Sequence, residues 1–328
     1  MSSKIVNLYY FLKPLIPRPL QILLRRHIVA RKRKSCADVW PIDQRCACIP
    51  KNWPGWPDRK NFAVILTHDV ETAKGHDRCR RLMRLEMNLG FRSSFNFVPE
   101  KYSVSPELRA VLAENGFEIG LHGLYHDGKY FRSRKIFEKR AELINNYLKD
   151  WNSCGFRSPS MLHRLDWMHT LRIEYDSSTF DTDPFEPQPE GIRTIFPLWV
   201  SGGAPGAGFV ELPYTLPQDF TLFIIMKEPG IEIWKQKLDW IAENGGMVLM
   251  NTHPDYIHFE TKGGAEEYTV SHYLDLLQYL RAKHENRYWH VLPREIARFW
   301  AGNFSHYRTP ESAPGNSGSI SHLHRVTV

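Results

Sequence analysis

Three short clusters in this chain carry side chains able to bind a metal or move protons. Thr67-His68-Asp69-Val70-Glu71 ends the apolar run Phe62-Ala63-Val64-Ile65-Leu66. His122-Gly123-Leu124-Tyr125-His126 follows Phe117-Glu118-Ile119-Gly120-Leu121, and His253 follows Met247-Val248-Leu249-Met250. Carboxylates and imidazoles are costly to bury unless they are paired or bound to a metal. Their recurrence where apolar strands should stop points to one site built by several strands.

Two His and one carboxylate, with positions left open for water, make a catalytic metal set rather than a structural one. His122 and His126 supply the imidazoles, and Asp69 or Glu71 supplies the carboxylate. Two His four apart also fit one face of a zinc-binding helix. The metalloprotease pattern, however, needs Glu after the first His, and this chain has Gly123. His122 is therefore expected to end a strand, with His126 in the turn beyond it. A divalent ion in such a set polarises a carbonyl and lowers the pKa of water from ~15.7 towards ~7. That chemistry suits hydrolysis of an amide, a poor electrophile.

These residues need a frame. Apolar and β-rich runs predict strands at 62–68, 92–98, 117–122, 155–158, 174–179, 208–213, 247–252 and 289–292. Helix-like segments fall between most of them, at 76–89, 106–115, 133–150, 164–171, 232–244 and 268–283. In the last, Tyr273, Leu276, Leu277 and Leu280 mark a buried face. Residues 181–207 are rich in Pro and Gly and read as a long loop. Alternating strands and helices indicate a parallel β/α architecture, and chemistry at many strand ends favours a barrel over an open sheet. No glycine-rich phosphate fingerprint follows the first strand, which argues against a nucleotide role. Residues 1–60 read as an N-terminal arm, 61–301 as the barrel, and the polar stretch 302–328 as a disordered C-terminal tail.

The chain has 328 residues and 42% hydrophobic content, ample for a sizeable core. Aromatics reach 13%, which serves a sugar-handling surface or a large core equally well. The net charge is +7, and much of the excess lies in Arg25, Arg26, Arg31, Lys32, Arg33 and Lys34. No zinc-finger spacing or RNA-binding signature accompanies it, so nucleic acid is not expected as a partner. No stretch approaches the ~18 to 20 apolar residues needed to span a bilayer. The start, interrupted by Lys13 and Pro14, makes a poor signal peptide. Leu20 to Val29 is amphipathic: residues 1–34 either contact a membrane surface or pack on the catalytic domain. Five cysteines fit no disulfide framework or zinc ribbon. A reduced, cytoplasmic location is expected, with peripheral placement at the inner membrane face as an option.

Four motifs occur in order: Thr67-His68-Asp69-Val70-Glu71, His122-Gly123-Leu124-Tyr125-His126, Phe156-Arg157-Ser158-Pro159 and Asn251-Thr252-His253. Together they resemble the successive motifs of the polysaccharide deacetylase family, the NodB homology domain of carbohydrate esterases, over about residues 60–300. The resemblance implies a distorted (β/α) barrel of seven or eight strands and one divalent metal ion, with Zn2+ the first expectation. It implies metal-dependent removal of an N-acyl group, N-acetyl foremost, from an amino sugar of a polysaccharide or lipid-linked glycan. Deformylation of a lipid-linked amino sugar and a non-catalytic carbohydrate-binding barrel are the alternatives. By the same resemblance, Asp69 is the base, Arg157 holds that base, and His253 is the acid. His122 and His126 match the metal pair. The family's first motif commonly has two adjacent Asp; here Val70 takes the second place, so Glu71 becomes the expected metal carboxylate. His68 is left to line the pocket or to pack. The fourth motif is poorly matched: Asp176, in Tyr175-Asp176-Ser177-Ser178, could orient a catalytic partner such as His253. Leu212-Pro213-Tyr214 could line an acyl pocket or simply end a strand. Oligomeric state is not legible.

Overall fold

A computed structural model describes residues 17–204 and 206–304. The first sixteen residues of the arm lie outside the described residues, as does the expected tail beyond Phe304. Among the described residues, eleven strands run in chain order: β1 Phe62–Val70, β2 Ser94–Phe97, β3 Glu118–His122, β4 Gly155–Arg157, β5 Tyr175–Asp176, β6 Leu198–Ser201, β7 Gly208–Glu211, β8 Met247–Thr252, β9 Ile257–His258, β10 Tyr268–Thr269 and β11 Tyr288–His290. The helices are α1 Arg18–Ser35, α2 Ala73–Asn88, α3 Pro106–Glu114, α4 Arg134–Asp150, α5 Leu165–Met168, α6 Glu232–Glu243, α7 Val270–His284 and α8 Pro293–Phe304.

Nine strands form one curled sheet, ordered β6-β7-β5-β4-β3-β2-β1-β8, with β11 beside the first residues of β1. All pairings are parallel except that of β6 with β7. β1 is its axis: it is buried on both faces along its whole length, which its unbroken apolar start anticipates. The remaining gap is bridged irregularly past β7. There the Thr215 and Leu216 amides donate to the Leu249 carbonyl of β8, at 3.0 and 3.2 Å. The result is the expected distorted barrel. Its antiparallel strand β6 comes from the segment expected to be a long loop.

The helices cover the sheet as their patterns predict. α2 buries Cys79, Leu82, Met83 and Glu86 at helical spacing. α7 buries the four residues of the anticipated stripe. Start signals are plain: Ser105 caps α3 by accepting from the Leu108 amide at 3.1 Å, with Pro106 next in the chain. Helix α8 falls outside the helices expected from the sequence, and it carries residues 302–304 of the expected tail. A wide-bore π-helical turn, Phe220–Met226, was likewise not anticipated. Helix α1 packs on this turn, so the arm's helix is part of the folded body.

Candidate active site

Side-chain alternation along β1 sorts its polar residues. Thr67 and Asp69 face inward, where Arg157 from the end of β4 reaches both. His68 faces the outer helices, and there its Nε2 lies 2.6 Å from Glu86 of α2 and its Nδ1 2.7 Å from the Thr252 hydroxyl. Tyr273 of α7 donates to the same Glu86 carboxylate at 2.6 Å. His68 is thus a buried packing residue outside the site. Val70 is also fully buried, and the next acid after Asp69 on the alternating pattern is Glu71.

Asp69 is held from three strands. Asn96 Nδ2 of β2 donates to Oδ1 at 3.0 Å, Arg157 to the same oxygen at 3.2 Å, and Asn251 Nδ2 of β8 to Oδ2 at 2.8 Å. Burial, the largest single influence, favours the neutral acid. The Arg157 guanidinium, with His122 and His253, outweighs it and holds the carboxyl well below its usual range. Arg157 is itself fully engaged, donating also to the Ser177 carbonyl and hydroxyl and to Asn251 Oδ1, each at 2.7 Å.

His122 closes β3. Its Nδ1 lies 3.2 Å from the Arg157 carbonyl, which assigns the proton to Nδ1 and leaves Nε2 as a free lone pair. Burial pulls its pKa down to about 4 against the opposing pull of Asp69, so the ring is neutral at neutral pH. The chain then turns back sharply. Gly123 sits at φ +66°, and a Cβ there would lie 2.6 Å from the Pro159 ring, so only glycine fits. His126, at φ 54°, returns its imidazole to within 5.0 Å of the His122 ring.

Glu71 completes the group. Donor atoms of Glu71, His122 and His126 all lie within 4.8 Å of one another. His126 Nε2 approaches Glu71 Oε1 to 2.9 Å, yet this buried nitrogen makes no aligned hydrogen bond. Two imidazoles and a carboxylate whose donor atoms converge this closely, with no aligned hydrogen bond at His126 Nε2, fit a divalent metal. Burial opposes ionisation of Glu71, but His126 by charge and contact keeps its carboxyl well below the usual range. Tyr256 donates to Oε2 at 3.0 Å, and the Glu71 amide donates to Asp255 at 2.8 Å. Asp255 in turn lies where a Cβ on Gly75 would stand, 2.3 Å from its Oδ2, which explains the glycine in the first turn of α2.

His253 follows β8 and lies 4.0 Å from Glu71 through Nε2. Its orienting partner is Asp219, not Asp176. Asp219 Oδ1 accepts from His253 Nδ1 at 2.7 Å, and Oδ2 accepts from the His253 amide at 2.8 Å and from Tyr268 at 2.9 Å. Burial pulls the imidazole pKa down, but the Asp219 charge and hydrogen bond, backed by Glu71 and Asp69, lift it to about 10. Asp176 instead accepts from the Ser178 amide and hydroxyl at 3.1 and 2.7 Å, and that hydroxyl receives the Ser158 amide at 2.8 Å. It therefore braces the end of β4 beside Arg157. Burial raises its pKa, next to Glu211 on the adjoining strand. Leu212 and Tyr214 are buried, and the Tyr214 hydroxyl donates to Asp183 at 2.9 Å.

Sequence reasoning passed over Asp219, Asn96, Tyr256 and Asp255. Asn96 had a signal: a polar residue between Phe95 and Phe97, in register with Asp69. Asp219 had none, since it stands at the entry to an irregular turn.

No protein-family model matches this chain, and no curated protein matches it in sequence. Solved structures do match. A Mycobacterium smegmatis protein described as a polysaccharide deacetylase is 17% identical and superposes with a TM-score of 0.60, over 79% of this chain and 97% of its own. A Pseudomonas aeruginosa protein described in the same way is 15% identical, TM-score 0.61, over 78% and 96%. The PuuE allantoinase is 14% identical, TM-score 0.60, over 82% and 99%. The chain shares the fold of these three proteins.

Proposed function

We propose that this protein is a metal-dependent hydrolase that removes an N-acyl group, N-acetyl foremost, from an amino sugar of a glycan. One observation carries the reading: Asp69, kept ionised by Arg157, and His253, kept protonated by Asp219, flank a single Glu71–His122–His126 group. A base and an acid of opposite protonation state around one metal-competent set is what amide hydrolysis requires.

Glu71, His122 and His126 would hold the ion, and a set of two imidazoles and one carboxylate accepts zinc and other divalent ions. Bound there, the ion would polarise the acyl carbonyl and acidify an attacking water. Asp69 takes the proton from that water. Asn96, Asn251 and Arg157 fix its carboxylate so that little reorganisation accompanies the transfer. His253 gives a proton from Nε2 to the departing nitrogen, while Asp219 on Nδ1 stabilises the ring before the transfer. The acyl group leaves as the free acid's anion, and the sugar keeps an amine.

The fold itself does not select the substrate, since an allantoinase and two proteins described as polysaccharide deacetylases match it equally well. The test is acetate release from N-acetylated chito-oligosaccharides by protein of measured metal content, beside allantoin as a control. Release that disappears on chelation and in Asp69→Asn supports the reading. Stoichiometric metal with no release of acetate or formate from any N-acyl amino sugar would reassign the chain as a binding barrel.

A further inference from the structure

Helix α1 carries two apolar faces. One is buried: Ile22 and Val29 lie against the body. Polar contacts anchor that side along its length. Arg18 pairs with Glu266 at 3.0 Å, Arg26 donates twice to the Ile224 carbonyl at 3.0 and 2.9 Å, Lys32 donates to the Pro184 carbonyl, and Arg33 pairs with Glu228. The other face is open. Leu20, Leu23, Leu24 and Ile28 are 46, 60, 40 and 36% exposed, half of the eight large apolar side chains exposed among the described residues. At about 100° per residue these four share one arc with His27, Arg31 and Lys34. A helix already docked by its other side has no folding reason to present this stripe to water.

Charge identifies what covers it. Residues 18–35 hold seven Lys and Arg and no acid. A second copy packed two-fold on this face would set one basic helix against another, which like-charge repulsion opposes. Nucleic acid would leave the leucines without a partner. An anionic bilayer surface satisfies both features: apolar side chains enter the acyl boundary, and cations meet phosphates.

We propose that the open face of α1 docks the protein on an anionic lipid surface, with Leu20, Leu23, Leu24 and Ile28 inserted and Arg31 and Lys34 on headgroup phosphates. The site lies close to this helix. Arg18 is 5.6 Å from the centroid of the Phe220 ring, Phe220 packs on Tyr256 at 4.8 Å, and Tyr256 donates to Glu71. Docking therefore holds a helix that neighbours the site against the bilayer. The docking does not depend on the hydrolase reading, because lipid binding is measured without turnover.

The experiment is co-sedimentation of the full chain with vesicles of phosphatidylcholine alone and of phosphatidylcholine with phosphatidylglycerol. The expected result is affinity at least about tenfold higher for the anionic vesicles, weakening as salt rises. Leu20→Ser/Leu23→Ser/Leu24→Ser should lose about tenfold or more on anionic vesicles, with thermal melting and turnover on a small soluble substrate unchanged. Arg31→Glu/Lys34→Glu should remove the preference for anionic lipid. Equal sedimentation with and without vesicles, or undiminished binding by the triple-serine variant, overturns the proposal. So does a dimer that the triple-serine variant abolishes in the absence of any vesicle binding, which would assign the face to self-association.

Discussion

Asp219 grips His253 twice, through the ring at 2.7 Å and through the backbone amide at 2.8 Å. The two residues are 34 positions apart, and the carboxylate stands where an irregular π-helical turn begins. The ring contact sets the tautomer, and the amide contact sets where the ring can stand. A raised imidazole pKa of about 10 follows from the charge on Asp219 prevailing over burial.

Removing that charge should move the pH profile in a fixed direction. An acid works only while protonated, so the rate falls as pH rises through the His253 pKa. Asp219→Asn should shift the alkaline limb of kcat/KM to lower pH, from near 10 towards the ordinary value of 6.5. The same pair adds stability that is complete below pH 6.5 and lost as pH rises through about 10. The melting temperature of wild type should therefore converge on that of the variant at high pH. A limb that stays in place would show that another group supplies the proton.

His253→Ala tests the acid directly. An acid acting on the leaving nitrogen works in the transition state and adds little to binding. The variant should lower kcat by about 10²- to 10⁴-fold with KM little changed and metal content intact. Metal loss would make His253 a ligand instead, and unchanged kcat would end its role as acid.

Much of this site was legible because β/α folds put chemistry at strand ends. Asp69, His122, Arg157 and His253 each stand at or next to the end of a run that reads as a strand. Glu71 follows from Val70, which takes the second acidic place of the motif that the chain resembles. Asp219 could not be inferred, because the turn that carries it has no periodicity of either kind and its partner is distant in sequence. Asp176 departs from its expected role for a related reason: a strand-end acid can brace its neighbours as well as serve the site, and only the hydrogen bonds separate the two. Strand β6 was lost among Pro and Gly, since four residues show too little alternation to outweigh them. Helix α8 did have its signals, Pro293 at the start and Ile296, Trp300 and Phe304 at helical spacing.

Helix α1 is expected to matter for stability as well as location. Its inner face buries Ile22 and Val29, and Arg26 satisfies the Ile224 carbonyl. Burying two such side chains contributes on the order of 3 kcal/mol. Deleting residues 1–35 should lower the melting temperature by several degrees, and Arg26→Ala by less. A truncated chain that melts like wild type would make the arm a dispensable appendage.

Arg157 is buried and makes five hydrogen bonds, to Thr67, Asp69, Ser177 and Asn251. Arg157→Met leaves Asp69 buried without its main counter-charge, which costs about 3–5 kcal/mol. The kinetic sign is also defined. A base works only while ionised, so activity falls as pH drops through the Asp69 pKa. Arg157 depresses that pKa, and the acid limb of the variant should move to higher pH. Chemical denaturation and the pH–rate profile check the two halves separately.

The final expectation separates the two neighbouring acids. Glu71 Oε1 stands 2.9 Å from His126 Nε2, whereas the Asp69 oxygens are occupied by Asn96, Arg157 and Asn251. A carboxylate that already accepts from three side chains has little left to offer an ion, while Glu71 accepts from Tyr256 on Oε2 and turns Oε1 to His126. Glu71→Gln should therefore lose metal, because a neutral amide is a poor replacement for a charged ligand beside two imidazoles. Asp69→Asn should keep metal and lose turnover by about 10²- to 10⁴-fold, because its role is to take a proton. Elemental analysis of the two purified variants, followed by activity at saturating added metal, distinguishes the roles. If Asp69→Asn loses the ion and Glu71→Gln retains it, the assignments exchange, and Glu71 becomes the base.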